Sequence, residues 1–327
     1  MDWSKKTVLV TGAGGFIGSH LTEQMVRLGA KTRALVHYNA AGRWGWLDSS
    51  PQKGDIEVVL GDIQDPDCVR QATSGVDVIF HLAALIAIPY SYRAPLSYIR
   101  TNIEGTLNVL QAARQHGISL VVQTSTSEVY GSALAVPISE DHPLQGQSPY
   151  AASKIGSDKL AEAFYLSYGL PVATIRPFNT FGPRQSARAI IPTIITQALT
   201  RSTVRLGHTQ PTRDFNYVAD TVAGFVRVAE SPQSVGRVIN IGSGREISVG
   251  DLAAMIVKLV GREVSIEVED QRKRPAQSEV ARLCAGNERA QALLGWMPQH
   301  SLQDGLLHTI EWIRQNLNHY KLELYTV

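Results

Sequence analysis

The sequence predicts an α/β fold, a doubly wound parallel sheet with helices on both faces and a smaller mixed α/β lobe. Short Val- and Ile-rich runs alternate with helix-like segments through the first half of the chain. A glycine turn, Gly12-x-x-Gly15-x-x-Gly18, joins the first run to the first helix. The residues with chemical potential follow the ends of the runs, where such sheets bind ligands.

Thr7–Thr11 is β-rich, and Phe16–Leu28 has helical spacing ended by Gly29. Strands are expected at Thr32–Val36, Ile56–Leu60, Val76–His81, Leu120–Thr124 and Pro171–Arg176. Helices are expected around Asp67–Ala72, Ile103–His116 and Tyr150–Tyr168, which makes the crossovers right-handed. Beyond Arg176 the prolines at 177, 183, 192 and 211 break the rhythm and predict loops and short helices. Val218–Ala229 reads as a helix and Arg237–Ile241 as a strand that rejoins the large sheet. Two further helices are expected at Val249–Val260 and Ser301–Leu317. The expected division is interleaved: 1–176 plus about 213–243 for a dinucleotide-binding domain, and about 177–212 plus 244–327 for a substrate lobe.

Composition excludes several classes. A chain of 327 residues that is 44% hydrophobic can bury a sizeable core. A net charge of +2 gives no nucleic-acid surface. The basic run Arg272-Lys273-Arg274 is too short for one, and reads as a solvated loop or a contact to a substrate phosphate. Cys68 and Cys284 are far apart and lack metal-ligand spacing, so reduced thiols and no metal are expected. A polar start leading straight into a strand, with no membrane-length apolar run, predicts a cytoplasmic enzyme that touches no membrane.

In the glycine turn, Gly12, Gly15 and Gly18 let backbone N–H groups approach a pyrophosphate at a helix N-terminus. Asp62, after the third strand, is placed to hold an adenine amino group or simply to close a turn. After the second strand the chain reads Val36-His37-Tyr38-Asn39, with Arg43 beyond. A carboxylate there would repel a 2′-phosphate, and its absence favours NADP over NAD. His37, Asn39 and Arg43 are the candidates to meet that phosphate, or are ordinary loop residues.

Tyr150 and Lys154 are four apart and share a helix face. A nearby ammonium favours the phenolate of a tyrosine, which can then take a hydroxyl proton as hydride leaves for a nicotinamide. Such a pair is common on any helix. It gains meaning after the glycine turn, with Ser125-Thr126-Ser127-Glu128 at a strand end and Ser148-Pro149 just before it. Thr126 is expected to bond the reacting oxygen. Glu128 adds a carboxylate able to remove a carbon-bound proton beside a new ketone; otherwise it is a helix-start acid stabilised by the dipole.

These motifs resemble the extended short-chain dehydrogenase/reductases of the NAD(P)-dependent sugar-nucleotide epimerase/dehydratase family. The resemblance runs through Thr11–Gly18, His81–Ala84, Asn102-x-x-Gly105-Thr106, Ser125–Gly131, Tyr150–Lys154, Arg176–Gly182, Arg213-Asp214-Phe215 and Arg274-Pro275. The Ser-Thr-Ser-Glu-Val-Tyr-Gly stretch is similar to the GDP-mannose 4,6-dehydratase branch. Ala83–Pro95 and Pro177–Pro192 resemble dehydratases of nucleotide-linked N-acetylglucosamine in legionaminic-acid-type pathways. The resemblance implies a Rossmann-type sheet and a tightly bound NAD(P)+ that is regenerated each cycle. It lines that cofactor with Phe16, Ile17, Ile63, Leu82, Ala83, Ala84, Thr124 and Pro177, and gives Asn102 a water relay to Lys154. The implied activity is 4,6-dehydration: oxidation at C4, loss of the C5 proton and of water from C6, and hydride return to C6.

One departure concerns Ser127, which stands where many TDP-glucose dehydratases carry an aspartic acid that protonates the leaving hydroxyl. That leaves the proton to Glu128 or a water. By the resemblance Asn179 meets the substrate diphosphate, joined by Arg213, Arg274 and Arg188, since guanidinium matches phosphate oxygens. Ser91, Tyr92 and Ser125 are expected to line the sugar pocket. Nothing in the sequence reads the nucleotide base. Rival readings are a 4-epimerase, which needs no Glu128, a 5,6-ene-forming variant, and a silent NADP sensor. Fold analogy adds a homodimer formed through the helices at Ile103–His116 and Tyr150–Tyr168.

Overall fold

The computed structural model describes residues 1–272 and 275–320. Its strands begin with β1 (Thr7–Thr11), β2 (Lys31–His37), β3 (Ile56–Gly61), β4 (Val78–His81), β5 (Leu120–Thr124) and β6 (Val172–Pro177). They continue with β7 (Asn179–Phe181), β8 (Thr203–Leu206), β9 (Thr212–Tyr217), β10 (Val238–Ile241), β11 (Glu246–Ser248) and β12 (Ser265–Val268). The helices of the first half are α1 (Phe16–Arg27), α2 (Pro66–Thr73), α3 (Ile88–Arg93), α4 (Pro95–Tyr98), α5 (Gly105–Gln115) and α6 (Pro149–Tyr168). The rest are α7 (Ile190–Thr200), α8 (Val218–Glu230), α9 (Val249–Val260), α10 (Glu288–Leu294) and α11 (Leu302–Gln315).

Seven strands form one parallel sheet in the order β10-β6-β5-β4-β1-β2-β3. Chain order reverses between β1 and β4, and a ligand crevice opens at such a switch point. Side-chain alternation divides the core. Val8 and Val10 face α1 and α8, with Leu21, Met25 and Phe225, while Leu9, between them, faces α2, α5 and α6 with Leu110 and Phe164. Both faces are covered, so these strands read as unbroken apolar runs in the sequence.

The catalytic-motif helix α6 has strong local signals at both ends. Ser148 caps it by accepting the Ala151 N–H at 3.1 Å, Pro149 needs no donor at the first position, and Gly169 takes φ +66 just past its end. Before α5 the backbone widens into a π-helical turn over Ile99–Glu104, where buried Asn102 sits. The expected helix at 103–116 therefore starts regularly only at Gly105.

The expected strands and helices of the large sheet are all present, including β10 beside β6. The second half is more ordered than loops and short helices. α7 runs from Ile190 to Thr200 because Pro192 falls in its first turn, where its missing N–H costs nothing. Two small sheets, β11-β9-β7 and β12-β8, and α10 were also not expected. In β9 the polar residues Arg213, Asp214 and Asn216 are all buried, which hides its strand character from a hydropathy reading. A separate apolar cluster joins α7, α9 and α11 through residues such as Ile195, Ile256 and Ile310. Among the described residues no helix is long and apolar enough to cross a membrane.

The glycine turn tests the geometry directly. A Cβ on Gly18 would lie 2.2 Å from the Gly12 carbonyl oxygen, a backbone atom that cannot swing aside. Gly18→Ala is expected to cost at least about 2 kcal/mol of stability, read as a lower urea midpoint at unchanged slope.

Candidate functional site

A cavity of about 1110 Å³ lies where β1, β4, β5 and β6 end, closed from the other side by residues of the 177–215 and 272–279 segments. Its volume exceeds what one small ligand needs, since single-ligand pockets run to about 1,000 Å³. The Gly12–Gly18 turn floors one half. Gly12 has φ +68, and its missing side chain leaves room for the Ala83 backbone, 2.9 Å from where a Cβ would be. Helix α1 has Gly15 as its N-cap and so no side-chain cap, which leaves its leading N–H groups, at the cavity-lining Phe16 and Ile17, for a ligand. Among the described residues the buried Thr124 Oγ1 and Asn179 Oδ1, on two lining residues, have no hydrogen-bond partner. The uncapped N–H groups and the close backbone approach at Gly12 fit a dinucleotide pyrophosphate.

Leu82, Ala83, Ala84 and Pro177 line the same half, as do His37, Asn39 and Arg43 at the end of β2. Asn39 is occupied as a brace: its side chain bonds the backbone N–H of Arg43 at 3.0 Å and the carbonyls of Arg43 and His37. That leaves the exposed Arg43 and His37 as the groups facing the ligand there. Asp62 stands beside this edge rather than in the lining, with Oδ2 4.0 Å from His37 Nδ1 and Oδ1 accepting the Gln64 N–H. Ile63 is buried against Gly105 and does not line the cavity.

Thr126, Ser127, Glu128, Tyr150 and Lys154 converge on the cavity. Burial pushes the Tyr150 phenol above its ordinary value; a hydrogen bond to Thr126 pulls the other way and the Glu128 carboxylate adds to the push. Burial also pulls the Lys154 ammonium down to about 8, opposed by Asp158. Lys154 Nζ donates to the Thr124 carbonyl at 2.6 Å. Desolvation is the largest influence on the phenol. The Glu128 backbone N–H donates to Thr126 Oγ1 at 3.3 Å, and among the described residues nothing bonds its carboxylate.

Ser125 lines the cavity as expected, with its Oγ donating to Asp158 Oδ2 at 2.6 Å. Several other expected contacts point elsewhere. Ser91 is fully buried and donates to the Ile88 carbonyl, while its neighbour Tyr92 lines the cavity. Asn102 gives both amide hydrogens to Leu85 O and Ser153 Oγ and accepts from Leu85 N–H, so its bonds brace a loop and include none to Lys154. Arg213 lines the cavity, yet its guanidinium is held by Glu279 at 2.8 Å and by the Thr212 carbonyl. Arg188 lines it too, with Nε on Ser186 Oγ. Arg274 lies outside the described residues. Arg93, Arg205, His208 and Arg272 also face the cavity. Of these only Arg272 was signalled, by the basic run. Among the described residues no cluster of His, Cys, Asp and Glu could hold a metal.

The fold and site together define a dinucleotide-binding α/β enzyme. Comparison with known proteins agrees. The GDP-mannose 4,6 dehydratase family profile matches residues 9–309. A UDP-glucose 4-epimerase of Mycolicibacterium smegmatis is 36% identical over 312 residues, covering 94% of this chain and 98% of that protein. A dTDP-glucose 4,6-dehydratase of Streptomyces griseus is 35% identical over 315 residues, 94% of each. The crystal structure of DesIV, a dTDP-glucose 4,6-dehydratase from Streptomyces venezuelae with NAD and TYD bound, superposes with a TM-score of 0.89 at 32% identity, covering 97% of this chain and all of that one. The chain belongs to the extended short-chain dehydrogenase/reductase family of NAD-dependent sugar-nucleotide epimerases and dehydratases.

The buried lysine makes a prediction about stability. Because its folded pKa lies below the unfolded value of 10.5, Lys154 burdens the fold fully below about pH 8, and the burden fades as pH rises from 8 to 10.5. Lys154→Met is expected to unfold at a higher temperature than the parent chain near pH 7, with the gap narrowing toward pH 10 in thermal melts.

Proposed function

We propose that this chain is a nucleotide-sugar 4,6-dehydratase that converts an NDP-N-acetylglucosamine, carried on UDP or GDP, into its 4-keto-6-deoxy derivative. The observation that supports it is the Glu128 carboxylate, unpaired among the described residues and beside Thr126 and Tyr150 in the cavity. An epimerase needs no such group. The N-acetylhexosamine assignment rests on the resemblance of Ala83–Pro95 and Pro177–Pro192 to dehydratases of that class.

Thr126 bonds the sugar O4, and Tyr150 takes its proton. Bound nicotinamide supplies the hydride acceptor for C4 and later the donor for C6. Lys154, anchored on the Thr124 carbonyl, would hold a positive charge toward a dinucleotide bound in the cavity. The C4 ketone acidifies the C5 proton, which Glu128 removes while water leaves from C6. Ser127 is too weak an acid to protonate that leaving hydroxyl alone, so Glu128 or a held water carries the proton. C6 takes the hydride back and C5 a proton from solvent, while Tyr150 gives up the proton it took, so the sugar loses one water with no net redox change.

For the cofactor, Arg43 and His37 with no carboxylate at the end of β2 support acceptance of a 2′-phosphate. NAD is what DesIV holds. Titrating the chain with NADP and NAD separates the two, and tighter NADP binding that Arg43→Ala abolishes is expected. A homodimer through α5 and α6 is the assembly we assign, consistent with Leu166 and Tyr168 standing exposed on α6.

Glu128→Gln tests the elimination. The variant should still reduce its cofactor on addition of UDP- or GDP-N-acetylglucosamine, as 340 nm absorbance. It should lose exchange of the C5 proton with deuterated water and form 4-keto-6-deoxy product at least about 100-fold more slowly by proton NMR. Unchanged C5 exchange would remove Glu128 as the base, and a C4-inverted sugar as the parent chain's sole product would make it an epimerase. Tyr150→Phe should abolish the absorbance change as well.

A further inference from the structure

Thr11 and His81 end the adjacent strands β1 and β4 and sit opposite one another in the ladder. Both are buried, Thr11 at 0% and His81 at 2% exposure, and neither lines the cavity. Their hydrogen bonds can be followed atom by atom. Thr11 Oγ1 accepts the N–H groups of Leu82 and Ala83, each at 3.1 Å, so its own proton goes to His81 Nδ1 at 2.8 Å. That makes Nδ1 an acceptor and leaves the ring proton on Nε2, which donates to Thr106 Oγ1 at 3.1 Å. Thr106 donates onward to the Asn102 carbonyl at 2.6 Å, within the π-helical turn. Asn102 then bonds both backbone groups of Leu85, and Ser153 Oγ at 2.9 Å. Ser153, beside Lys154, donates to the Tyr150 carbonyl at 2.7 Å. The π turn, a feature that often accompanies functional sites, turns Asn102 inward to make these bonds.

We propose that His81 is a positioning residue: as the neutral Nε2–H tautomer it sets the spacing between the cofactor-facing Leu82–Leu85 backbone and the Tyr150–Lys154 turn of α6. A leucine at this place would fill the volume but leave the Thr11 hydroxyl proton without its acceptor and Thr106 Oγ1 without its donor. A glutamine can accept at one end and donate at the other. Burial keeps the ring neutral, pulling it down to about 3, and the Lys154 ammonium adds to this. The ring therefore keeps this tautomer's pattern of one acceptor and one donor near neutral pH. Positioning of this kind governs rate strongly, since a misplacement of about 1 Å can cost about 100-fold.

The inference rests on the site oxidising a sugar through a nicotinamide, and is indifferent to whether elimination follows. Three variants test it: His81→Leu, His81→Gln and Thr106→Val, each checked for folding by circular dichroism. Amide hydrogen exchange is read on the cofactor-free protein over residues 82–85 and 150–154. The single-turnover rate of cofactor reduction is read with cofactor and sugar nucleotide saturating. His81→Leu is expected to speed exchange in both segments and slow reduction at least about 10-fold, with KM for the sugar nucleotide within about 2-fold of the parent. His81→Gln should recover the rate to within about 3-fold. A His81→Leu protein that is less stable but exchanges and reduces like the parent overturns the proposal, as does a folded His81→Gln protein as slow as His81→Leu. If His81→Leu does not fold, Thr106→Val, which keeps the ring and cuts only the second link, decides: parental exchange and rate overturn the proposal, and a slowed rate with faster exchange supports it. Failure of the parent chain to reduce cofactor with any sugar nucleotide would count against the functional reading instead, and the exchange measurement would still judge His81.

Discussion

Asp158 and Arg176 form an ion pair at 3.0 Å with both side chains only 4% exposed, joining α6 to β6 beneath the cavity. Neither charge stands alone. Asp158 also accepts from Ser125, and Arg176 also donates to the Tyr130 hydroxyl, which bonds Asn240 on β10. The network thus ties α6 to three adjacent strand ends, β5, β6 and β10. Breaking such a pair from one side typically costs about 3–5 kcal/mol, because the remaining charge is left unsolvated. Lys154 and Tyr150 lie one and two turns before Asp158 on the same buried face, so the tie fixes where they point. The Asp158 charge also holds the Lys154 pKa up against desolvation.

The reaction centre combines this rigid base with a dry environment. Burial is the largest influence on Tyr150 and raises its pKa. A desolvated phenol gains more from each charge brought near it than an exposed one would, since the interaction is less screened. Tyr98 contributes to this dryness: its ring packs edge-on to Tyr150 at 6.2 Å and its hydroxyl donates to the Ala87 carbonyl at 2.5 Å. Reaction groups, sugar-side loop and helix are therefore parts of one packed unit.

Much of the large sheet was legible because its strands bury both faces and its helices carry caps and glycine stops, as at Ser148, Pro149 and Gly169. The small sheets were not. In β9, Arg213 and Asp214 look like loop residues until Glu279 and the Ser243–Gly244 turn supply their partners from far along the chain. The candidate site divides along the same line. Motif positions on strand ends and on α6 come to the cavity as spacing suggests, because local geometry carries them there. Ser91, Ser125 and Arg213 sit at or beside it, but their polar atoms are spent on Ile88, Asp158 and Glu279, and only tertiary packing decides that. Sequence spacing locates a residue near a cavity better than it tells which way the side chain is spent.

The turn after β2 is packed against the glycine loop backbone to backbone. A Cβ on Gly14 would lie 2.6 Å from the Trp44 carbonyl oxygen, and one on Gly45 2.4 Å from that of Gly14; the Trp46 N–H donates to the Gly14 carbonyl at 3.0 Å. Trp46 in turn packs edge-on against Trp312 of α11 and at a tilt against His319. Swapping cofactor preference between relatives by grafting only the loop after the second strand would therefore mismatch two surfaces that were shaped together. The portable module is the glycine turn, the 42–46 segment and its aromatic seat on the last helix, moved as one piece.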